Sequence, residues 1–438
     1  MQKVRSKKAY TSTFMLNNRS LPRPRRVVIT GIGAMSPNGI GREEFWTNTL
    51  AGKSGVGPIR QFDASGLQVR IAGEVSGFDE SQWVDVKERP HVGRVTPLAR
   101  AAAGEAMADA GIEPRSMTRD QLREIGVILG SGGGSQVFTE EQYRLFHTGQ
   151  QKQCSVYVIP TSTIGTLASE VSMHFGLRGF SHIVSTGCTS STDALGYAMR
   201  MIQSGMIDCV VAGGADAPLA PLIVRGFQLM RIMTQRWNDE PERGSRPFSR
   251  DRDGFVLAEG SWFFVVEERE RAKARGARIY GELAGYGSTC EAFHRVRLEE
   301  CGEEPARSIA MALDEAGIPP EEVGYLQYHG TSTELNDRIE TTAIKLAFGK
   351  HASKLPGSAL KSLLGHPQGA CGAAGVAAIL LAMRDGVVHP TINLEETDPL
   401  CDLDYVPGVA RKLQFEYAVA NCIAFGSKNA ALAIRRPE

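Results

Sequence analysis

The chain has 438 residues, 42% hydrophobic and 22% charged, so it calls for two domains or one large α/β body and is neither fibrous nor disordered as a whole. Its 49 basic and 49 acidic residues cancel and the pI is about 7.1, so no global charge directs it to nucleic acid or to an anionic membrane. The eight cysteines contain no CxxC pair, which argues against a disulfide framework or a zinc ribbon and points to a reducing cytoplasm.

Residues 1–26 carry eight basic residues and no acid, a composition shared by disordered arms and organellar transit peptides; a flexible arm is the expectation. The ordered body is expected from Val27, where VVIT reads as a buried strand entering the turn GIGAMSPNG. A helix over Ala101–Ala110 with Gly111 as its C-terminal cap follows, then IGVILGSGGG as strand and glycine turn. A second opening strand is predicted in ARIYGELAGYGS, from Ala277. EAMADAGIEP at 105–114 is echoed by MALDEAGIPP at 311–320, and IGVILGSGGG by VGYLQYHGTS at 323–332. Two similar halves, 27–275 and 276–438, are therefore expected, with mainly parallel sheets covered by helices and ligand sites beyond the carboxyl ends of strands. The longest apolar run, Ala370–Met383, is shorter than the roughly 20 residues that span a bilayer, so a buried core helix and no membrane span are expected.

Cys188 lies between the strand-like HIVST and the helix-patterned TSSTDALGYAMRMIQSG. A thiol at a helix N-terminus has its anion stabilised by free N–H groups and the macrodipole, and Gly187 permits the sharp turn that presents it. His329 closes GYLQY and opens HGTST; His366 lies in KSLLGHPQGACGAAG before a small-residue helix. Each residue taken singly is most simply structural; together they form one testable site. Zinc held by Cys188, His329 and His366 competes with this reading, but none belongs to a short ligand pair. Dinucleotide binding through GIGAMSPNG or GSGGGS lacks the full GxGxxG setting.

The order and spacing of VVITGIGAMSPNG, STGCTSS, VAGGADAP, SRPFSRDRDGFVLAEG, HGTST with Asp337 and Glu340, and LKSLLGHPQGACGAAG resemble the elongating β-ketoacyl-acyl-carrier-protein synthases from about Val27 to Arg436. Cys188 to His329 spans 141 residues and His329 to His366 spans 37, similar to that family's nucleophile and two histidines. The resemblance implies a thiolase-like five-layered α/β/α/β/α fold made of two similar halves. It implies decarboxylative Claisen condensation: an acyl chain from a carrier-protein thioester held on Cys188, then a malonyl thioester decarboxylated beside His329 and His366. Neither metal nor cofactor is required, since phosphopantetheine arrives on the acyl carrier protein.

The same resemblance gives the backbone N–H groups of Cys188 and Phe425 to an oxyanion hole, Lys361 to ordering the site with Glu340 as its ionic neighbour, and Thr331 and Thr333 to the pantetheine amides. It puts carrier-protein docking near Arg89, Arg94, Arg231 and Arg236, and Gly133 at the acyl pocket, where a larger side chain is common. The chain departs from the family at AFGSKN, 424–429, where GFGGTN is usual, so Ser427 and Lys428 replace a small pair beside the Phe425 gate. Gly187 in STGCTSS and the segment CDLDYVP at 401–407 are closer to catalytic ketosynthase subunits of type II polyketide or polyene systems. They imply a heterodimer with a ketosynthase-like chain-length subunit. The alternatives are a fatty-acid-type homodimer and, in another class, a non-condensing chain-length subunit, in which the nucleophile is typically replaced.

Overall fold

The computed structural model describes residues 25–438; the basic segment 1–26 lies outside the described residues except for Arg25 and Arg26. The chain forms β1 (Val27–Ser36), α1 (Val95–Asp109), β2 (Ile125–Gly130), α2 (Thr166–Phe175), β3 (Ser181–Val184), α3 (Ser190–Gln203), β4 (Cys209–Asp216) and β5 (Gly260–Glu268). It then forms β6 (Gly281–Cys290), α4 (Glu303–Ala316), β7 (Val323–Gln327), α5 (Glu334–Phe348), β8 (Gly357–Ser358), α6 (Cys371–Asp385), β9 (Tyr417–Ala424) and β10 (Lys428–Arg435). Strand order is β1-β5-β4-β2-β3 in the first array and β6-β10-β9-β7-β8 in the second. The two are the same arrangement, strand for strand, and α1 and α4 occupy equivalent places. The echo between 105–114 and 311–320 is therefore a structural repeat.

The arrays join edge to edge through three β1–β6 residue pairs, Val27 with Leu283, Val28 with Glu282 and Ile29 with Gly281. α1 packs on β1 and β5, α4 on β6 and β10, and α3 and α6 fill the space between the arrays. Five layers result, as the resemblance implies. The expectation of mainly parallel sheets is not met. β2 pairs in parallel with β3 and β4, and β7 with β8 and β9, but β5 and β10 return antiparallel, as does the β1–β6 joint. β9 and β10 are joined by the short turn 425–427, which permits only the antiparallel direction; β4 and β5 reach the same direction through the longer connection 217–259, which carries the helix Pro221–Leu229.

Glycine explains how closely the outer helices approach. A Cβ on Gly31 or Gly33 of β1 would lie 2.0 Å from the carbonyl oxygen of Ala106 or Ala102 in α1. Gly285 and Gly287 of β6 stand in the same relation, also 2.0 Å, to Ala312 and Ser308 of α4. GIG and GYG are thus the seats of equivalent helices. In the central layer α6 is buried along nearly its whole length, which accounts for the apolar run Ala370–Met383 without a membrane. No helix among the described residues is long and apolar enough to cross one.

Candidate active site

The two central helices bring the chemistry together, because the loops that precede them meet between the arrays. Cys188 sits in the single turn Gly187–Thr189 before α3. Gly187 has φ +74°, a left-handed conformation that a residue with a Cβ adopts only at a cost. His329 follows β7, and His366 precedes α6 with its backbone N–H donating to Val256 at 2.7 Å. The Cys188 sulfur and one nitrogen of each imidazole lie within 4.8 Å of one another, all three residues buried. The rings stand edge to face with centroids 5.4 Å apart.

The hydrogen bonds assign the tautomers. The Lys361 ammonium donates to His329 Nδ1 at 3.2 Å and to the His329 carbonyl at 2.6 Å, and the Gln368 N–H donates to His366 Nδ1 at 3.1 Å. Both rings therefore carry their proton on Nε2 and present two N–H donors. Burial, then the Lys361 ammonium and, for His329, the other imidazole, hold both pKa values well below the ordinary 6.5. The pair is held neutral, with two N–H donors directed into the site.

Cys188 departs from the expectation of a resting thiolate. Burial and the repulsion of Cys371 push its thiol up to about 12, against the Lys361 ammonium and a hydrogen bond from the Phe425 N–H. Desolvation outweighs the helix terminus, so the thiol rests protonated with the Phe425 N–H directed at it.

Lys361 and Glu340 are not ionic neighbours. The Glu340 carboxylate accepts the backbone N–H groups of His329 and Gly330 at 2.7 and 2.8 Å and the Asn421 amide at 2.6 Å. Glu340 therefore shapes the turn that carries His329. Burial pushes its pKa up to about 7 despite these bonds.

These groups open on an apolar cavity of about 210 Å³ whose lining includes Cys188, His329, His366, Thr331, Thr333 and Phe425. The hydroxyls of Thr331 and Thr333 are 2.8 Å apart. Gly133 is absent from that lining, and a Cβ there would lie 2.3 Å from the Gln136 side chain, which fills the space the glycine leaves. Within CDLDYVP, Tyr405 is buried, stacked on Phe248 with centroids 3.8 Å apart and hydrogen-bonded to Thr341. That segment packs the core and does not touch the cavity.

The Ser427 substitution has a structural consequence. Ser427 adopts φ +63°, and its hydroxyl accepts the N–H groups of Phe293 and His294 at 3.3 and 3.1 Å while donating to the His294 carbonyl at 2.9 Å. It stitches the Phe425 turn to the segment whose Val296, Arg297 and Leu298 line the cavity. Ser427→Ala is expected to accelerate amide exchange at Phe293 and His294 by about tenfold, the equivalent of one lost hydrogen bond; unchanged protection would show that the hydroxyl holds nothing.

Of the four arginines, Arg94 is not a docking residue. Its guanidinium reaches the fully buried Glu259 at 2.7 and 2.8 Å and also pairs with Glu80. Arg94→Ala is expected to destabilise the fold by about 3–5 kcal/mol in chemical denaturation, because Glu259 is left buried without its partner. Arg89 is half exposed and pairs with Glu80 at 2.8 Å. Arg231 and Arg236 are exposed, and among the described residues Arg236 has a loose pair, 3.9 Å, with Asp253.

The reading of the sequence missed Asn421, Asp216, Cys371 and Cys422. Asp216 accepts N–H groups from Gly132, Gly133 and Gly369 at 2.7–3.1 Å, tying the glycine turn after β2 to the loop carrying His366. Cys371 and Cys422 touch across 51 positions of sequence, and no spacing signal announces such a pair.

Comparison with known proteins agrees with this geometry. The β-ketoacyl synthase N-terminal domain matches residues 24–272 and the C-terminal domain residues 280–395. The chain is 40% identical over 413 residues, 94% of this chain and 98% of the relative, to 3-oxoacyl-[acyl-carrier-protein] synthase 2 of Synechocystis sp.. It is 39% identical over 424 residues, 94% and 98% of the two chains, to the tetracenomycin polyketide synthase ketoacyl synthase alpha subunit of Streptomyces glaucescens. Among solved structures, the ishigamide ketosynthase/chain length factor superposes with a TM-score of 0.87 at 33% identity, covering 95% of this chain and 100% of that one. With a buried cysteine at a helix start, two neutral imidazoles facing it and both domains matched in order, the chain belongs to the β-ketoacyl synthase family of condensing acyltransferases.

Proposed function

We propose that this ketosynthase works in a type II polyketide or polyene system, extending an acyl chain on Cys188 with a carrier-protein-bound malonyl unit. The observation that carries the reading is the convergence of one thiol and two Nε2–H donors at an apolar cavity. The half 27–275 supplies the nucleophile and the half 276–438 supplies both histidines. Cys188 attacks the acyl thioester, and the backbone N–H groups of Cys188 and Phe425 hold the oxyanion. The malonyl carboxylate then leaves as carbon dioxide, and His329 and His366 stabilise the enolate oxygen while its carbon attacks the Cys188 thioester. Lys361 orients His329, Glu340 shapes the turn, and Thr331 and Thr333 receive the pantetheine amides. These steps use side chains and backbone alone, in a cytoplasmic enzyme; stoichiometric zinc by elemental analysis would revive the metal reading.

The partner is an acyl carrier protein together with a ketosynthase-like chain-length subunit. Exposed Arg231 directly follows exposed Leu229 and Met230, and Met230 lines the cavity, a mixed basic and apolar surface suited to an acidic carrier, with Arg236 exposed five positions on. β3 is a sheet edge, and in the segment before α2, which packs on β3, Val156, Tyr157 and Ile159 are 54–81% exposed, which fits a second ketosynthase-fold subunit continuing the sheet. Support comes from solved relatives: one is a type II polyketide acyl-carrier protein in complex with its ketosynthase (TM-score 0.86, 34% identity), and another joins ketosynthase and chain length factor. The fatty-acid reading keeps a specific support in the 40% identity to the Synechocystis synthase. Purifying the chain alone and with a chain-length subunit separates the two: the polyketide reading expects elongation only in the mixture, and a stable homodimer that elongates at full rate alone would refute it. Arg236→Glu is expected to raise KM for carrier-bound substrate while sparing a small thioester, since rim charges act on encounter.

A further inference from the structure

Beneath Cys188 lies a pair of thiols that the condensation chemistry does not use. Cys371 opens α6 and Cys422 lies in β9, both buried, with their sulfurs 3.6 Å apart. Both sulfurs lie against the Cys188 backbone carbonyl, at 3.2 Å from Cys371 and 3.1 Å from Cys422. Cys422 also stands 3.4 Å from His329 Nδ1. A separate cavity of about 20 Å³, room for a molecule the size of water, is lined by both cysteines, Lys361, Asn421 and His329. His329 also lines the cavity of Cys188, so it forms a wall common to both spaces.

We propose that Cys371 and Cys422 are an oxidisable dithiol that closes to a disulfide with hydrogen peroxide as the oxidant, and that closure slows condensation while leaving the Cys188 thiol intact. The Cys371 sulfur attacks one peroxide oxygen, giving a sulfenic acid and one water; the Cys422 sulfur then attacks the sulfenic sulfur, expelling a second water. Two thiols and one peroxide become one disulfide and two waters, and a small thiol or dithiol reductant reverses the step. The sulfurs must approach from contact to a bond of about 2.05 Å, which turns both away from the Cys188 carbonyl in a core too dense to follow freely. The carbonyl loses the two sulfurs packed against it and the Lys361–His329 contact loses a neighbour.

Charge favours this pair over the nucleophile as the site of attack. Burial alone would raise the Cys371 thiol, but the Cys422 S–H and the Lys361 ammonium bring it down to about 7, whereas the Cys188 thiol stays high. Peroxide reacts with thiolates, so Cys371 is the sulfur it meets in reactive form.

The experiment treats the full chain with hydrogen peroxide, blocks remaining thiols with iodoacetamide, and maps peptides by mass spectrometry alongside condensation assays. The expected result is a Cys371–Cys422 peptide, an alkylated Cys188, and a rate lowered by about tenfold, the equivalent of about one lost hydrogen bond, that returns with dithiothreitol. In Cys371→Ser and Cys422→Ser, each compared with itself before and after peroxide, the reversible component is expected to vanish. Oxidation of Cys188 with Cys371 and Cys422 still free would overturn the proposal, as would a formed disulfide with an unchanged rate. Should a variant not fold, the wild-type peptide map decides alone.

Discussion

Cys188→Ala is expected to abolish the acyl-enzyme, with no acyl mass gained in intact-protein mass spectrometry and condensation lowered by about 10⁴-fold or more. The expectation rests on access as well as chemistry. Cys188 is the cysteine that lines the 210 Å³ cavity with both imidazoles, whereas Cys371 and Cys422 lie behind it at the smaller void. Cys290 and Cys301 are exposed and serve as internal controls, since an accessible thiol without the two histidines and the Phe425 N–H should not be acylated. Acylation of the alanine variant at the wild-type rate would remove the nucleophile assignment.

His329→Ala and His366→Ala are each expected to lower carbon dioxide release from the malonyl thioester by about 10²–10³-fold, the usual cost of one preorganised donor to an oxyanion. Transfer of the acyl chain to Cys188 should fall less, because the enolate appears only in the later step. The hydrogen bonds also give a pH expectation. Both imidazoles have pKa values well below 6.5, so wild-type decarboxylation should stay level as pH falls through 6.5 and should not decline with an ordinary histidine titration. Unchanged carbon dioxide release from both variants would dismantle the two-histidine reading. Glu340, with a pKa of about 7, is the group whose titration could perturb the His329 turn, so a decline near 6.5 that persists in Glu340→Gln would show that at least one ring is far less buried than its neighbours indicate.

Much of this was legible before any coordinates. The repeat could be read because two equivalent helices pack on two equivalent strands, and each pair needs the same glycines, Gly31 and Gly33 or Gly285 and Gly287, for its close approach. Cys188, His329 and His366 were legible because each lies where a strand or loop gives way to a helix, and the turn chemistry of STGCTSS, HGTST and LLGHPQG marks such places. The antiparallel returns of β5 and β10 were not: GSWFFVVEE and KNAALAIR are buried strands, and the apolar pattern of a buried strand does not encode its direction.

Local turns and order along the chain were therefore enough for the family, the two-fold plan and the candidate trio Cys188, His329 and His366. How charge is held became visible only in the folded chain. It turned Glu340 away from Lys361 to the backbone of His329 and Gly330, and it locked Arg94 onto the buried Glu259. It also set Cys371 against Cys422 beneath the nucleophile. The reason is physical: the state of a buried ionisable group is set by desolvation and by which partner lies within about 3 Å, and those partners come from segments far apart in the chain.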